Sequence, residues 1–378
     1  MKKKLLILTT RSLHRAPRII REIEALQPEF DITAVGLSAP KIEKVNFINI
    51  TKIHLHVIDR AIRKLYRLFN NGQLPKFRLP FFDRFVEWII KHHAPDVVIV
   101  HEPEFLLYVT SLKEKYGFRL AFNAHEYYPL QFEHKSVWMR TYGLMYADIY
   151  RKYLDKVDLM INVCESIAKR CKSEFEKDSI VIPNAAFYRP DIQPRKVGEF
   201  PIRLIHHGAA IRSRSLETMI NAVAKLGDSY QLDLMLVENE KGYYDELNDL
   251  VSKTTNVKMI APVDFDNIVP FINKYDIGLY SLKPSSYNQE VALPNKLFEY
   301  IQARLCLVVS PSVEMSNIVV SNDLGIVSRD YDEGSIAAAI GSLTIERVNH
   351  CKEKANIAAR KLSAEQYEGL FLNSINSI

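Results

Sequence analysis

The sequence has little that would carry it into or across a membrane. No stretch approaches the roughly 18 consecutive apolar residues of a membrane span. Near the start the only apolar run, Leu5 to Leu8, is too short for a secretory signal, and Arg11 follows almost at once. We therefore expect a cytoplasmic protein, either soluble or attached peripherally to the inner face of the membrane.

Cysteine is scarce. The four cysteines form no CxxC pair and have no metal-ligand spacing with histidine, so they predict reduced thiols and no bound metal. They are Cys164, Cys171, Cys306 and Cys351. The DFD triplet at 264–266 has the letters of a metal motif, but it precedes a predicted helix that Asp264 or Asp266 could cap.

Phosphate-binding loops of the common kinds are absent as well. The chain has neither GxGxxG nor a Walker A sequence, which argues against a dinucleotide-dependent enzyme or an NTPase of the usual type. No internal repeat or low-complexity tract is present. A phosphorylated ligand would therefore have to be bound by another kind of loop.

Charge is distributed unequally along the chain. Residues 1–190 hold 31 Lys and Arg against 21 Asp and Glu, whereas the remainder holds 19 against 24. The segment 52–91 has nine basic and three acidic residues, with leucines and aromatic residues interleaved. We expect this segment to dock on anionic lipid headgroups; a solvated basic face over a core-facing apolar stripe is the alternative. No nucleic-acid-binding motif accompanies the charge, so we expect no nucleic acid partner.

Apolar runs ending in polar residues alternate with amphipathic segments up to about residue 182, and again from residue 202. This alternation predicts an α/β fold with parallel sheets covered by helices on both faces. Prolines interrupt the pattern between the two series. We therefore predict two Rossmann-like domains facing across a cleft. The predicted ranges are 1–190 for the first domain, 191–201 for a linker, 202–341 for the second domain and 342–378 for a helical tail that packs back on the first.

The segment EVALPNKLFEY has the features of an anion-binding helix N-terminus. Pro294 suits the first turn of a helix, because the N–H that it lacks would be unpaired there. The amides of Asn295, Lys296 and Leu297 would then be free at the positive end of the helix dipole, where a diphosphate binds. Glu299 lies about one turn deeper and could accept hydrogen bonds from ribose hydroxyls. An ordinary capped helix with a solvated glutamate is the alternative.

Six segments, in the correct order, resemble the retaining glycosyltransferases of family four. APRIIRE resembles the family's xPRVxRE, FNAHEYYP its YDAHExYP, INVCESIAKR its ITVSESIAE, and VIPN its VIPN. HHGAAIRSRSLETMINAVAKL resembles YHGxxxxxRGLExLIxA, and LPNKLFEY resembles the PNKxFEY donor-site motif. The resemblance implies the GT-B architecture and a metal-independent enzyme. It also implies a nucleotide diphosphate sugar of UDP or GDP type as donor substrate, with no further cofactor.

The resemblance implies roles for residues at strand ends in both domains. His125 would contact the transferred sugar or stabilise developing charge, and Glu126 beside it would orient the acceptor. Gly208 would allow the backbone to approach a phosphate closely. Arg214, with Arg212 as second choice, would donate hydrogen bonds to the diphosphate.

The sequence also departs from the family pattern. Val291 stands where the family often carries a glutamate eight residues before the ribose-binding one, with Glu290 adjacent to it. Asn123 replaces the frequent aspartate before Ala-His. These two differences bear on catalysis and on donor choice. His101 and Glu102, after the preceding predicted strand, are weaker candidates of the same kind as His125.

These observations predict a retaining hexosyltransferase that uses a nucleotide sugar and a saccharide or polyprenyl-linked saccharide acceptor. Surface polysaccharide or glycan biosynthesis is the expected setting. A sugar-nucleotide 2-epimerase, which also has two such domains, is one alternative, but it gives no reason for a basic amphipathic surface. A non-catalytic glycosyltransferase-like partner subunit is another, and the intact PNKLFEY argues against it.

Overall fold

The computed structural model describes residues 2–51, 57–70 and 78–378, without the side chains of residues 67 and 68. Parts of the predicted basic segment, residues 52–56 and 71–77, thus lie outside the described residues. The described chain divides into two compact units. The first comprises Met1–Pro183, Ser286–Asn288 and Glu368–Ile378, and the second comprises Asn184–Ser285 and Gln289–Tyr367.

Over the described part of its chain, the first unit contains a seven-stranded parallel sheet in the order β3-β2-β1-β4-β5-β6-β7. Its strands are β1 (Lys3–Leu8), β2 (Phe30–Gly36), β3 (Asn46–Asn49), β4 (Val97–Val100), β5 (Arg119–Asn123), β6 (Leu159–Asn162) and β7 (Ile180–Val181). The strand order reverses between β1 and β4. In sheets of this kind, the crevice outside the carboxyl ends of those two strands is where ligands bind.

Helices connect the strands of the first unit. They are Pro17–Leu26, Val57–Phe69, Pro80–His93, Leu106–Tyr116, Leu144–Tyr153 and Glu165–Phe175, with a short turn Ser136–Trp138 and a π-helical segment Met139–Gly143 before the fifth. The last helix of the chain, Ala364–Asn376, contributes Phe371 and Ile375 to the core of this unit. Among the described residues, no helix is both long enough and apolar enough to cross a bilayer.

The second unit, whose residues the structure describes throughout, contains a six-stranded parallel sheet in the order β10-β9-β8-β11-β12-β13. Its strands are β8 (Ile202–Ala210), β9 (Tyr230–Glu238), β10 (Val257–Ile260), β11 (Ile277–Tyr280), β12 (Cys306–Val309) and β13 (Gly325–Val327). Its helices are Leu216–Ala224, Tyr243–Val251, Ile268–Ile272, Asn295–Gln302, Val313–Ser321, Glu333–Gly341 and Ile345–Lys361. The residues of a short turn, Tyr287–Glu290, are divided between the two units. Here the strand order reverses between β8 and β11.

The structure differs from the sequence expectations in four places. The strand β3 was not predicted, because its residues alternate weakly and remain partly exposed. Residues 184–201 belong to the second unit, since Ala185, Ile192 and Val197 are buried in its core. Residues 342–367 of the predicted tail also belong to the second unit, and only Glu368–Ile378 belongs to the first. The cap expected from the DFD triplet is not formed: Asp264 lies at the N-cap of the short turn Phe265–Asn267, but its side chain makes no capping hydrogen bond.

Candidate active site

Gly208 lies near the carboxyl end of β8, beside the point where the strand order of the second sheet reverses. Its φ of +130° belongs to the region that favours glycine. A β-carbon at this position would lie 2.6 Å from Nζ and 2.7 Å from Cε of Lys296. In the structure, the Lys296 side chain therefore lies against Gly208. The close approach of a phosphate to this glycine, which the sequence suggested, stays a prediction.

Lys296 is a buried cation, with 9% of its surface exposed. Burial, helped by the nearby Arg214 guanidinium and opposed by Glu299, lowers its pKa to about 8. A guanidinium nitrogen of Arg214 lies 3.7 Å from the same β-carbon position above Gly208 and donates to the carbonyl of Ala209 at 3.2 Å. Two basic side chains from separate segments therefore meet above one glycine, an arrangement that favours a ligand with two negative charges.

Arg212 is placed differently from Arg214. Its guanidinium forms a two-pronged ion pair with Glu246, with one N–O distance of 2.6 Å, and lies 4.8 Å from the centre of the Tyr243 ring. The side chain is exposed. Of the two candidate arginines, Arg214 is therefore the one that the structure brings beside Lys296.

The helix Asn295–Gln302 begins directly after Pro294, which occupies the N-cap position. The side-chain oxygen of Asn295 accepts a hydrogen bond from Asn184 at 2.5 Å. The amide of Leu297, one of the three that we expected to be free, donates to the Pro294 carbonyl at 3.0 Å. The first-turn amides of Asn295 and Lys296 have no acceptor within the helix because of helix geometry, so they are the ones that can meet a phosphate.

Glu299 lies on the same helix one turn deeper and is buried. One carboxylate oxygen is 3.3 Å from Nε2 of His207, a β8 residue, without the alignment of a hydrogen bond. Burial and the charge of Lys296 lower the His207 pKa to about 3, so this imidazole is neutral. Buried carboxylate and neutral imidazole groups side by side offer hydrogen bonds to ribose hydroxyls, whereas the solvated glutamate of the alternative interpretation is not observed.

Glu290, the remaining acidic candidate of the second unit, ends the short turn Tyr287–Glu290. Val291 is buried, and the neighbouring Glu290 is exposed, with its backbone carbonyl accepting a hydrogen bond from the Ser312 hydroxyl. Within the described ranges, no group of three His, Cys, Asp or Glu side chains could hold a metal ion.

In the first unit, His125 and His101 form a hydrogen-bonded pair. His101 follows β4 and His125 follows β5, and these strands are neighbours in the sheet. Nδ1 of His101 lies 3.0 Å from Nε2 of His125. Burial and the charges of Arg18 and Arg11 hold the pKa of both imidazoles well below the ordinary value. Both rings are therefore neutral near pH 7.

Glu22, from the helix Pro17–Leu26, lies on the other side of His101. One oxygen of Glu22 accepts hydrogen bonds from Asn123 at 2.8 Å and from Arg18 at 3.2 Å. Its second oxygen is 3.4 Å from Nε2 of His101. Burial outweighs the attraction of Arg18 and raises the Glu22 pKa to about 7. Asn123 stands where the family pattern often has an aspartate. Its side-chain amide donates a hydrogen bond to the Glu22 carboxyl group, which an ionised aspartate could not do.

A second buried carboxyl group, Glu102, lies next to His101 in sequence but has separate partners. It accepts hydrogen bonds from the Thr9 hydroxyl and the Thr10 amide, each at 3.0 Å, and pairs with Arg11 at 3.2 Å. Burial raises the Glu102 pKa to about 7. These contacts join the carboxyl ends of β1 and β4, where the strand order of the first sheet reverses.

Residues 126 and 127 differ in their exposure. Glu126 remains partly exposed, and burial raises its pKa although Gln131 hydrogen-bonds to it. Tyr127, for which the sequence allowed sugar stacking or packing, is buried, donates to Glu174 and lies beneath the Arg170 guanidinium. Packing is therefore the role that the structure shows for Tyr127.

The predicted site residues thus fall into two clusters, one in each unit. Gly208, Arg214, Lys296 and Glu299 lie together in the second unit, and His125 lies with His101 in the first. Sequence reasoning gave no role to Glu22, although it lies in the APRIIRE segment that carried part of the family resemblance. His207 was also missed; its place directly before Gly208 was the available signal.

Comparison with known proteins gives a family match for part of the chain and a fold likeness for all of it. Residues 13–186 match the Glycosyltransferase Family 4 domain. No curated protein sequence matches the chain significantly.

Three solved structures illustrate the fold. Sucrose-phosphate synthase from Thermosynechococcus elongatus superposes with a TM-score of 0.74 at 13% identity, over 100% of this chain and 98% of that one. Trehalose 6-phosphate synthase from Burkholderia multivorans gives 0.68 at 11% identity, over 100% and 99%. Anabaena HepE in complex with UDP gives 0.68 at 11% identity, over 100% of both chains. The chain therefore has the GT-B fold of these glycosyltransferases, and its residues 13–186 match Glycosyltransferase Family 4.

Proposed function

We propose that the chain transfers a sugar, with retention of anomeric configuration, from a nucleotide diphosphate sugar to a saccharide or polyprenyl-linked saccharide. We further propose that it belongs to the subgroup with the PNKxFEY donor site. One observation carries the proposal: Lys296 and Arg214 meet above Gly208 at the first turn of the helix Asn295–Gln302, and Glu299 is buried one turn deeper. In a nucleotide diphosphate, the diphosphate is followed by the ribose. The diphosphate would therefore meet Lys296 and Arg214, and the ribose would meet Glu299.

In this proposal, the positive groups of the second unit stabilise the leaving nucleotide diphosphate. Lys296, Arg214 and the first amides of the helix would face the charge that develops as the sugar departs, in a site of low dielectric. Three neighbours support this assignment through their published descriptions: HepE is in complex with UDP, one trehalose-phosphate synthase is UDP-forming, and another was studied for glycosyltransfer with retention.

His125 would act on the sugar or the acceptor as a neutral hydrogen-bonding group. Its pKa lies well below the ordinary value because of burial and the neighbouring arginines. A permanent imidazolium is therefore unfavourable at neutral pH, and a hydrogen bond to a hydroxyl is the role that fits. Glu126, which is partly exposed next to it, would orient the acceptor.

The acceptor's proposed attachment to a membrane lipid is supported by the helix Val57–Phe69. Its residue Asp59 is buried and accepts hydrogen bonds from the amides of Phe82 at 2.9 Å and Phe81 at 3.3 Å. With this polar residue turned inward, the outward face carries large apolar side chains: Val57 is 75% and Phe69 84% exposed.

Apolar and basic side chains share that outward face. Leu65 is also exposed on it, and the exposed Arg60 and Lys64 flank the apolar stripe. An apolar stripe with basic neighbours complements an anionic lipid surface, so we propose peripheral docking on the inner face of the membrane.

Incubation with a panel of UDP- and GDP-sugars, with and without saccharide acceptors, tests the proposal. We expect nucleotide release that increases with acceptor, and a glycoside product whose anomeric NMR signal matches the donor configuration. An inverted product would refute retention. A 2-epimerised nucleotide sugar formed without acceptor would instead establish the epimerase alternative.

A further inference from the structure

The hydrogen-bonded pair of His101 and His125 extends to a third side chain, to which the proposed transfer gives no role. The hydrogen bond between Nδ1 of His101 and Nε2 of His125, at 3.0 Å, occupies one nitrogen of each ring. His101 is completely buried, so its Nε2 cannot reach water. Nδ1 of His125 is the nitrogen that this bond leaves for another partner, and the His125 side chain is partly exposed.

The second nitrogen of His101 faces Glu22. Nε2 of His101 and Oε2 of Glu22 lie 3.4 Å apart, and neither atom has a hydrogen-bond partner among the described residues. A buried polar atom without a hydrogen-bond partner destabilises the fold. A single proton between Nε2 of His101 and Oε2 of Glu22 would form one hydrogen bond that gives both atoms a partner.

We propose that Glu22 and His101 are positioning residues that set the tautomer of His125, so that Nδ1 of His125 accepts a hydrogen bond when Glu22 is ionised and donates one when Glu22 is protonated. The inference concerns the geometry of the first unit, and its catalytic meaning rests on the proposed role of His125.

The proton bookkeeping follows from the two ring nitrogens. With Glu22 ionised, Nε2–H of His101 donates to Glu22 and Nε2–H of His125 donates to Nδ1 of His101, which leaves Nδ1 of His125 with a free electron pair. A proton added at Nδ1 of His125 moves the Nε2 proton of that ring to His101, and the Nε2 proton of His101 to Glu22. The single added proton ends on the carboxyl group, and both rings remain neutral.

Burial, together with the surrounding charges, favours protonation of Glu22 over protonation of either imidazole ring. Burial favours the protonated form of Glu22 and outweighs Arg18 and Arg21 on its own helix and the Asn123 amide from β5, which favour the ionised form. The pKa of Glu22 is therefore raised to about 7. Arg18 and Arg11 disfavour a charge on either imidazole. Burial lowers the pKa of Arg18 itself; Glu22 and Tyr128 oppose this shift, and the charge of Arg11 adds to it. Between about pH 8 and about pH 6, the proton taken up by these three side chains therefore lies on the Glu22 carboxyl group and not on either imidazole.

Nitrogen-15 NMR of histidine-labelled protein tests the inference without any assay of transfer. In the wild type, lowering the pH from about 8 to about 6 should convert Nδ1 of His125 from unprotonated to protonated and Nε2 in the opposite sense. Glu22→Gln should abolish this change, because an amide does not titrate. Glu102→Gln is the matched control: it removes a neighbouring buried carboxyl group with the same pKa of about 7, yet the tautomer change should persist.

Two results would overturn the inference. One is a tautomer change that persists in Glu22→Gln; the other is a His125 ring that gains a second proton and becomes cationic over this range. His101→Phe provides a second variant, which should also fix the tautomer of His125 if Glu22→Gln fails to fold.

Steady-state kinetics separates this inference from the proposed transfer. With a donor identified, the acid limb of kcat should fall about tenfold per pH unit in the wild type and flatten in Glu22→Gln, while KM for the donor stays the same. A tautomer change without any detectable transfer would support the inference about Glu22, His101 and His125 but refute the proposed function. Transfer by a protein whose His125 tautomer does not change with pH would support the proposed function and refute the inference about Glu22 and His101.

Discussion

Lys296 occupies the space that a side chain on Gly208 would need, since a β-carbon there would lie 2.6 Å from its ammonium nitrogen. The two residues are far apart in sequence, one near the end of β8 and the other in the first turn of the helix Asn295–Gln302. This contact places a buried positive charge beside the amides of that turn. It links the glycine of the HHG segment to the lysine of PNKLFEY.

Gly208→Ala should displace Lys296 and weaken the binding of UDP or GDP. The φ of +130° adds a backbone cost of about 1–2 kcal/mol for an L-residue. Gly227→Ala is the matched control, because Gly227 has a φ of +65° with no atom within 4 Å of its β-carbon position. Calorimetry should show lost affinity only for the first variant. Equal affinities in both variants would mean that the Lys296 position is unimportant for the nucleotide.

Nucleotide affinity should fall as the pH rises above about 8. The Lys296 pKa is lowered to about 8 by burial, so the ammonium loses its proton near that pH, whereas a diphosphate binds the charged form. The second phosphate ionisation, near 6, is complete in this range. Linkage then allows a decrease of at most about tenfold per pH unit. Lys296→Met should bind weakly and with little pH dependence; a wild-type affinity that is flat between about pH 7 and about pH 9.5 would contradict the assignment.

His125→Ala should abolish transfer and leave nucleotide affinity nearly unchanged, because His125 lies in the first unit and the predicted nucleotide site lies in the second. Loss of a group that hydrogen-bonds at the reacting centre lowers turnover by about 10²–10⁴-fold. His134→Ala, which removes an exposed histidine of the same unit, serves as control. Parallel losses of turnover and nucleotide binding in His125→Ala would indicate a structural role instead.

Vesicle binding should require anionic lipid and weaken as salt increases. Each basic side chain near the surface contributes about 1 kcal/mol, so Arg60→Glu combined with Lys64→Glu should release the protein from phosphatidylserine vesicles in a sedimentation assay. Phe69→Ser should weaken binding at every salt concentration, because it removes apolar contact. Ile357→Ser removes an equally exposed apolar side chain from the second unit and should have no effect. Retention of the charge-reversed variant on vesicles would identify an ordinary solvated helix face.

The sequence predicted those features that depend on local periodicity. Leu297, Phe298 and Ile301 follow helical spacing, and all three are buried as expected. The parallel strands ended in polar residues, and the two sheets confirm the predicted fold class. The helix start expected at Pro294 was also confirmed, since Pro294 lies at the N-cap of the helix Asn295–Gln302. The approach of a phosphate to Gly208 stays a prediction.

Features that depend on contacts between distant segments could not be predicted. Glu22 and His101 lie on separate elements, and no spacing rule relates them. The burial of Lys296 could not be inferred either, because its neighbours in sequence do not show that it lies over Gly208. Arg304 is a similar case: a completely buried arginine at φ +59°, it donates to the carbonyls of Gln302 and Arg189. An arginine is normally expected at the surface.

Calorimetric titration of the wild type and of Glu299→Ala with UDP and GDP tests the donor site most directly. The wild type should bind one of the two nucleotides, and Glu299→Ala should lose affinity, by at most about 3–6 kcal/mol for two ribose hydrogen bonds to a charged acceptor. Arg212→Met, which removes an arginine engaged with Glu246, should bind like the wild type. Thermal unfolding of each variant confirms that the fold is kept. Unchanged affinity in a folded Glu299→Ala variant would contradict the account.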